Sequence, residues 1–496
     1  CKRAASMSLS RRHFLDAAIQ TTAATMAGMP LVLSANENPA KPAGPNERVR
    51  VAVIGTNGQG GAHIGEWLKH PDVDLVAVCD CDPAAYHKHA ALFKAVKNPP
   101  RFEQDIRKLL EDKSIHAVSI ATPNHWHALA AVWAMQAGKD VYVEKPCSHT
   151  VHEGRVMTQW ARSLGRICQM GVQSRSMTGM RDLLQFVKGG TLGTITAARA
   201  ICYRRRDSIG VSETEAPIPP GLDFDLLCGP TEKVVPKRKR LHYDWHWFWA
   251  TGAGDLGNQN PHELDKARWG LGKQEFPKRV ISVGGRLGYV DDAEVANSQI
   301  TVFQWDDALL ISDVRGLPLK SPVSFGSHSG PFQGAANIWY GSEGYAVGLG
   351  YTGGVAFDYD GHELGKWNAG EYQQHFANFL KGVKSRNHKD LHLDIEDGHL
   401  SSALAHMGNV SLRRGRIAAM GERPSRLERE QRVAETFDSF EQHLAENDMN
   451  LEKTKFFLGA DLVIDPMTER SSDVEANALF TRQYRKGFEL PEVLKA

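Results

Sequence analysis

Residues 49–61 read VRVAVIGTNGQGG, an apolar run followed at once by a glycine-rich turn. A near-continuous apolar run is typical of a strand that is buried on both faces of a parallel sheet. In the next segment, 62–70, Ile64, Trp67 and Leu68 recur on one face of a helix. A strand, a glycine turn and a helix in this order indicate a dinucleotide site, in which backbone N–H groups meet a pyrophosphate at the helix N-terminus.

The spacing of the turn departs from the usual G-x-G-x-x-G pattern. Its middle glycine falls on Asn57, and Gly58 follows one place later. Asparagine tolerates a positive φ better than most residues, so we expect the turn to form. The residues expected to hold the pyrophosphate are Gly55, Asn57, Gly58, Gln59 and Gly60.

A second apolar run, Val73–Cys79, ends in Asp80. A carboxylate at this place accepts hydrogen bonds from both hydroxyls of the adenosine ribose and repels a 2′-phosphate, so NAD is favoured over NADP. The alternative is a strand-end aspartate that caps the next helix, which is predicted to start near Pro83. A single acidic residue leaves NADP open.

The alternation of strands and helices continues to residue 172. Strands are predicted at 115–121, 140–143 and 167–172, and helices at 126–137 and 151–164. Ligands of such sheets bind beyond the carboxyl ends of the strands. Thr122, Asn124 and Lys145 directly follow or nearly follow strands, so we expect them to line one crevice.

Four motifs stand in a fixed order along the chain. They are the glycine turn with His63; Ala121-Thr122-Pro123-Asn124 with His127; Gly138-Lys139 leading to Glu144-Lys145-Pro146; and GAGDLGN at 252–258 running to His262, Asp265, Trp269 and Gly272. On these motifs the chain resembles the Gfo/Idh/MocA family, which includes glucose–fructose oxidoreductase and inositol dehydrogenase. The resemblance covers residues 48–360. It implies an α/β fold, with an N-terminal Rossmann domain and an α+β C-terminal domain built on a large, mostly antiparallel sheet.

The resemblance also implies roles for individual residues. Lys145 matches the family's lysine, which bonds the reacting hydroxyl and faces the nicotinamide, and His262 matches the histidine that moves the hydroxyl proton. Four residues before the histidine the family has aspartate, whereas this chain has Asn258, which can orient an imidazole but cannot stabilise imidazolium by charge. Asp265, one helical turn after His262, is expected to orient the histidine or the backbone. The residues expected at the cofactor after the turn are Thr122, Pro123, Asn124, His127, Glu144 and Lys145.

The second half of the chain is rich in predicted strands. They fall at 195–203, 280–283, 298–305, 309–314, 335–340 and 345–349, and a further strand at 391–395 precedes a helix at 397–416. The aromatic segment 242–249 (HYDWHWFW) leads toward His262, and its rings suit stacking on sugars, with core packing as the alternative for each tryptophan. The candidate substrate residues are Tyr203, Arg204, Trp245, Trp249 and His262.

The composition limits the classes of function. Lys and Arg number 59 against 58 Asp and Glu, and a net charge of +1 gives no footprint for general nucleic-acid binding. No apolar stretch reaches the length of about 18 residues that a membrane helix needs. Seven cysteines without a C-x-x-C pair indicate neither a disulfide framework nor a zinc site, and no metal is predicted.

The predicted segments divide the chain into five parts. Residues 1–35 are predicted to be a twin-arginine signal peptide, because Ser10-Arg11-Arg12-His13-Phe14-Leu15 precedes a weakly apolar stretch, so we expect a periplasmic or otherwise exported protein. The other parts are a linker (36–47), the Rossmann domain (48–173), a substrate and oligomerisation domain (174–420) and a helical C-terminal extension (421–496). The resemblance implies a homo-oligomer that forms through the C-terminal sheet.

Three functions are compatible with the sequence. The main hypothesis is an NAD(P)-dependent oxidoreductase that moves hydride between a secondary alcohol of a sugar or cyclitol and a tightly bound nicotinamide. His262 would act as acid and base and Lys145 would polarise the oxygen. The alternatives are a redox-neutral, NAD-dependent enzyme that cleaves glycosides by oxidation and elimination, and a non-catalytic sugar-binding protein.

Overall fold

The computed structural model describes residue 44 and residues 46–215, 217–235, 238, 240–325, 328–330, 334–427 and 429–493. The predicted signal peptide at 1–35 and most of the linker lie outside the described residues. Within the described part of the chain, no helix is both long enough and apolar enough to cross a bilayer.

The N-terminal domain is a six-stranded parallel sheet with the strand order β3-β2-β1-β4-β5-β6. Its strands are β1 (Val49–Ile54), β2 (Val73–Cys79), β3 (Arg101–Glu103), β4 (Ala117–Ile120), β5 (Asp140–Glu144) and β6 (Cys168–Gly171). Its helices are α1 (Gln59–Lys69), α2 (Pro83–His87), α3 (Ala90–Lys94), α4 (Ile106–Glu111), α5 (Asn124–Gln136) and α6 (Val151–Ser163). The strand order reverses between β1 and β4, and this is the place where open α/β sheets bind ligands.

The second domain is built on a large mixed sheet with the order β16-β15-β14-β13-β7-β10-β9-β8-β18-β17, and β19 also pairs with β8. Only β7 and β10 run parallel among its paired strands, so the predicted, mostly antiparallel sheet is confirmed. The strands are β7 (Ala197–Tyr203), β8 (Arg279–Gly285), β9 (Ser298–Gln304), β10 (Leu309–Arg315), β11 (Val323–Phe325), β12 (His328–Gly330), β13 (Gly334–Tyr340), β14 (Gly344–Leu349), β15 (Gly353–Asp358), β16 (Glu363–Asn368), β17 (Arg416–Ala419), β18 (Lys455–Leu458), β19 (Leu462–Asp465) and β20 (Arg470–Ser471). The helices are α7 (Thr178–Lys188), α8 (Phe224–Cys228), α9 (Gly254–Asn258), α10 (Pro261–Leu271), α11 (Gln373–Ser385), α12 (Ile395–Arg413), α13 (Gln431–Glu446) and α14 (Val474–Leu479).

The strand predicted at 391–395 is wrong. The side chain of Asp394 accepts a hydrogen bond from the backbone N–H of Glu396, and helix α12 therefore begins at Ile395. An N-cap of this kind satisfies a backbone donor that would otherwise be unpaired, and it outweighs the short apolar alternation of the segment.

The sequence predicted a helical C-terminal extension, and this prediction is wrong in part. Helix α13 is present, but β18 and β19 pair with β8 and extend the large sheet at its edge. An uncovered edge strand offers unpaired N–H and C=O groups, and these strands satisfy part of that row.

The two faces of the large sheet are covered differently. Side chains alternate between the faces along each strand, so that Val280 and Phe303 pack toward α7, α10 and α12. On the opposite face, which we call the outer face, Ile281 and Ile300 pack with apolar residues of α13. The α13 residues in this contact are Val433, Phe437, Phe440 and Leu444. The part of the sheet around β8 and β9 that was expected to meet another subunit is thus covered by the chain itself.

Candidate functional site

Two glycines fix the turn between β1 and α1. Gly55 has a φ of +80°, and a Cβ there would lie 2.7 Å from the backbone nitrogen of Thr122. A Cβ on Gly60 would lie 1.7 Å from the carbonyl oxygen of Gly55, so neither position accepts a side chain. A Cβ on Gly58 would meet no atom within 4 Å, which leaves the start of α1 open. Asn57 is not among the residues with positive φ, so the turn forms without the conformation predicted for it.

The open side of this turn faces a cavity of about 280 Å³ between the two domains, which we call the nucleotide cleft. All the residues predicted to bind the cofactor line it except Gly60, which lies behind the turn. They are Gly55, Asn57, Gly58, Gln59, Asp80, Thr122, Pro123, Asn124, His127, Glu144 and Lys145. The cleft, the glycine cradle and the helix N-terminus are the features a dinucleotide requires, so these residues fit NAD.

Asp80 ties the glycine turn to the end of β2. One carboxylate oxygen accepts the backbone N–H of Thr56 at 2.7 Å and its hydroxyl at 3.1 Å, and the other accepts the N–H of Asp82 at 3.0 Å. The cap of α2 is Asp82, whose side chain accepts from Ala84, so the alternative role predicted for Asp80 is wrong. Burial raises the pKa of Asp80, whereas the hydrogen bonds from Thr56 and Asp82 act in the opposite direction.

The residues that line the cleft without having been predicted from the sequence include Cys81, Gln104, His242 and Tyr243. The Nε2 atom of His242 lies 2.8 Å from the carboxylate of Asp82 and thereby links the second domain to the first across the cleft. His242 opens the aromatic segment that the sequence singled out, which is the signal that could have found it.

His127 holds two loops of the cleft together. Its ring lies between the carbonyl oxygens of Pro146, 2.6 Å from Nδ1, and Thr122, 2.7 Å from Nε2. Burial lowers the pKa of His127, whereas its hydrogen bonds to the carbonyl groups of Pro146 and Thr122 oppose that effect. His127 therefore positions the loops at the ends of β4 and β5.

Glu144 is the centre of a buried hydrogen-bond network beneath the cleft. One of its oxygens lies 3.1 Å from Nε2 of His63, and Nδ1 of His63 lies 2.9 Å from the hydroxyl of Ser119. Burial favours protonation of Glu144, but the hydrogen bond from His63 and the charges of His63, Lys145 and His262 outweigh it and bring its pKa to about 2. Glu144 is therefore an anion directly beside Lys145.

The low pKa of Glu144 predicts a pH-dependent contribution to stability. A carboxyl whose pKa falls from 4.5 to about 2 on folding stabilises the protein above about pH 4.5 and loses that effect as pH falls to 2. We expect Glu144→Gln to reduce the loss of stability over this range by up to about 3 kcal/mol. Urea unfolding at stepwise lower pH measures it, with Glu435→Gln as an exposed control. An unchanged profile for Glu144→Gln would contradict the assignment.

Lys145 reaches from the end of β5 toward the second domain. Its Nζ donates to the backbone carbonyl of Asn258 at 2.5 Å, and both residues line the nucleotide cleft. Burial lowers the pKa of Lys145, while the charges of Glu144, Glu263 and Asp255 oppose that effect. The ammonium group is thus held at the junction between the cofactor loops and the start of α10.

His262 stands in the first turn of α10, and 7% of its surface is exposed. Its Nδ1 is buried without a hydrogen-bond partner among the described residues, and its ring meets the ring of Tyr351 at 5.1 Å. Burial and then the charge of Lys145 hold the pKa of His262 well below its ordinary value. The ring is therefore neutral and free to accept a proton.

The side chain of Asn258 is not among the hydrogen-bond partners of His262 in the described part of the chain; its contact with the site is the carbonyl that Lys145 meets. The prediction that Asp265 orients the His262 ring is wrong. Its carboxylate forms two hydrogen bonds with Arg175, at 2.7 and 2.9 Å, and accepts a third from Ser401 at 2.7 Å. Asp265 therefore anchors α10 to Arg175 and is not oriented toward the His262 ring.

The predicted substrate residues fall into different places. Tyr203 is a wrong prediction, because its hydroxyl donates to Asp313 at 2.6 Å and its ring packs on the outer face of the sheet. Arg204, the next residue, lies close enough to His262 to lower its pKa and has no ion pair among the described residues. Trp245 lines the nucleotide cleft, whereas Trp249 lines a second cavity beside it.

Comparison with known proteins identifies the first domain. Residues 49–172 match the model of the GFO_IDH_MocA family, an oxidoreductase family with an NAD-binding Rossmann fold. The chain has the NAD-binding domain of the Gfo/Idh/MocA family. That finding agrees with the cleft, since the matched residues contain its glycine turn, Asp80 and Lys145.

Two curated relatives are similar to part of the chain. A glycosyl hydrolase family 109 protein of Shewanella pealeana is 29% identical over 209 residues, 39% of this chain and 46% of the relative. An alpha-N-acetylgalactosaminidase of Shewanella oneidensis is 31% identical over 211 residues, 39% of this chain and 45% of the relative. The chain therefore spans somewhat less than half the length of these relatives.

Two solved structures share the fold over 72–73% of this chain. The WlbA dehydrogenase of Bordetella pertussis, in complex with NADH and UDP-GlcNAcA, has a TM-score of 0.53 and 18% identity and covers 72% of this chain and 94% of its own. An oxidoreductase of Agrobacterium radiobacter, in complex with NAD+, L-tartaric acid and magnesium, has a TM-score of 0.54 and 15% identity and covers 73% and 95%. At these identities the likeness shows the fold.

Proposed function

We propose that this protein moves hydride between a secondary alcohol of a sugar or cyclitol and a tightly bound NAD. The observation that carries the proposal is the placement of Lys145 on the carbonyl of Asn258. This contact brings an ammonium from the cofactor loops to the end of α9, three residues before the helix of His262 begins, and the charge of Lys145 acts on the pKa of His262. We therefore expect both groups to reach one substrate hydroxyl.

The chemistry of the two residues is complementary. Bound NAD supplies the acceptor for the hydride that leaves the carbinol carbon. Burial and the charge of Lys145 lower the pKa of His262, so the imidazole is neutral at neutral pH and can take the hydroxyl proton. Lys145 stabilises the negative charge that develops on the oxygen.

The position of Asp80 predicts that the bound cofactor is NAD rather than NADP. Its carboxylate lies in the cleft where a 2′-phosphate would meet a negative charge. We expect mass spectrometry of the denatured, purified protein to find NAD. Recovery of NADP as the main nucleotide would contradict the role of Asp80, and the variant Asp80→Ser is expected to shift the preference toward NADP.

A second candidate is redox-neutral glycoside cleavage by oxidation and elimination. It is supported by two of the curated relatives, a glycosyl hydrolase family 109 protein and an alpha-N-acetylgalactosaminidase. Product analysis with a glycoside separates the two candidates. Release of the aglycone with no net change of cofactor would favour cleavage, whereas an intact glycoside carrying a new carbonyl, with NADH formed, favours simple oxidation. A purified protein that holds no nicotinamide and takes up none on titration would instead favour a non-catalytic sugar-binding protein.

Export and assembly belong to the same proposal. We propose export by the twin-arginine route on the pattern at Ser10–Leu15, and cell fractionation after replacing Arg11 and Arg12 by lysine tests it. Retention of export in that variant would exclude this route.

A homo-oligomer would have to use surface other than the part of the outer face that α13 covers, and light scattering of wild type measures the mass.

A further inference from the structure

A second cavity, of about 810 Å³, adjoins the nucleotide cleft and shares Pro123, Leu227 and Trp245 with it. It lies between the start of α5, the segment after β7, helix α12 and the end of the C-terminal extension. Because one tryptophan contributes to both cavities, a ligand with two linked rings could place one ring in each.

The charged residues of this second cavity are mainly arginines, and we call it the arginine cavity. The charged residues that line it are Arg238, Arg413, Arg482, Arg485, Glu232 and Glu294. Arg485 is paired with Asp225. The other three arginines have no ion pair with any described residue. Of the two acids, Glu294 accepts the backbone N–H of Trp249 at 2.9 Å, and Glu232 is exposed.

Arg482 is held in place without losing its charge. Nε2 of His149 lies 3.1 Å from the carbonyl of Gly252, which makes it the donor, so Nδ1 accepts from Arg482 at 3.0 Å. Burial, followed by the charge of Arg482, holds the pKa of His149 well below its ordinary value. The histidine is therefore neutral and positions the guanidinium without neutralising it.

The other two unpaired arginines lie against aromatic rings of the same cavity. Arg413 stands over Trp249 at 4.9 Å, and Arg238 stands over Phe248 at 5.9 Å. Arg238 is 7% exposed, and its Nε donates to the carbonyl of Leu241 at 3.1 Å. Arg238 is buried without an anionic partner among the described residues, which is costly, and an anion brought by a ligand would offset that cost; Arg413 is exposed and Arg482 half-buried, so both can meet a ligand from the open side.

We infer that the arginine cavity binds an acidic saccharide unit, linked to the sugar whose hydroxyl the nucleotide cleft receives. Guanidinium groups pair with carboxylate or sulfate in a bidentate manner, and the aromatic walls suit the apolar faces of a sugar ring. The inference deepens the proposed function and rests on it for the second ring. The substrate class is an oligosaccharide with a uronate or sulfated residue next to the oxidised ring.

The test uses the purified holoenzyme and native mass spectrometry. The probes are digests of alginate and polygalacturonate, which carry carboxylates, a digest of chondroitin sulfate, which adds sulfate, and neutral digests of cellulose and xylan. We expect the wild type to retain an acidic disaccharide or trisaccharide and no neutral one of equal length. The variant Arg482→Met/Arg413→Met is expected to weaken that binding about tenfold or more, and Arg482→Lys to weaken it less. The matched control is Arg205→Met, since Arg205 is exposed and pairs with Asp207.

The outcomes separate this inference from the proposed function. Retention of neutral chains alone, of no chain at all, or of acidic chains equally by the double variant overturns the arginine cavity as an anion site. The near-ultraviolet absorbance of reduced nicotinamide is followed in the same samples. If acidic chains bind through the arginines but the cofactor is never reduced, the site stands and the proposed oxidation fails. Melting temperatures of all variants show whether a loss of binding reflects loss of the fold.

Discussion

Replacing Lys145 by methionine is expected to lower the rate of hydride transfer by ~10²–10³, because one preorganised donor to a developing oxyanion contributes about that factor. The ammonium is fixed by the carbonyl of Asn258 and by the charge of Glu144. Single-turnover reduction of the bound cofactor measures the effect directly, since it excludes product release.

Two further variants make the Lys145 result specific. Lys145→Arg keeps the charge but spreads it over a planar group, and we expect it to recover only part of the rate. Lys69→Met, at an exposed position on α1, is expected to leave the rate unchanged. A Lys145→Met enzyme that retains its cofactor and reduces it at the wild-type rate would remove lysine from the reaction.

Replacing His262 by asparagine is expected to lower the rate by ~10²–10⁴, the usual contribution of a positioned acid–base group. The buried position and the charge of Lys145 lower the pKa of His262. The rate of the wild type should therefore hold down through pH 6.5 and fall only at more acidic pH, where the imidazole takes a proton before the substrate arrives.

The pH profile distinguishes a base from a merely structural histidine. In His262→Asn the acid-side fall of the rate should disappear along with most of the activity, whereas His362→Asn, at an exposed histidine, should keep both. An acid limb that persists unchanged in His262→Asn would assign the proton to a different group. The buried Glu263, whose pKa burial raises to about 7, would be the first to examine.

Much of the first domain could be predicted because its signals are local. Each buried strand is followed within a few residues by its turn and helix, so the cradle around Gly55 and Gly60 is readable from one segment. The cofactor residues then meet because the carboxyl ends of parallel strands lie along one edge. The crevice containing Thr122, Asn124 and Lys145 followed from that rule alone.

The errors arose where the partner of a residue is distant in sequence. Helical spacing placed Asp265 beside His262, but its partner is Arg175, 90 residues earlier, and a bidentate ion pair outweighs a one-turn neighbour. Tyr203 and Arg204 cannot both face the cleft, since neighbouring residues leave a strand on opposite sides. Tyr351, which contacts His262, carries no local motif and could be found only from the folded sheet.

Helix α13 keeps part of the outer face of the sheet covered when the protein is diluted. Helix α13 is joined to the sheet by the same chain, so its local concentration at the Ile281 and Ile300 surface does not depend on how many molecules are present. A sheet covered by a separate subunit would lose its cover as the protein becomes dilute. Because its cover is tethered, the surface around Ile281 and Ile300 stays buried in a single molecule at any dilution.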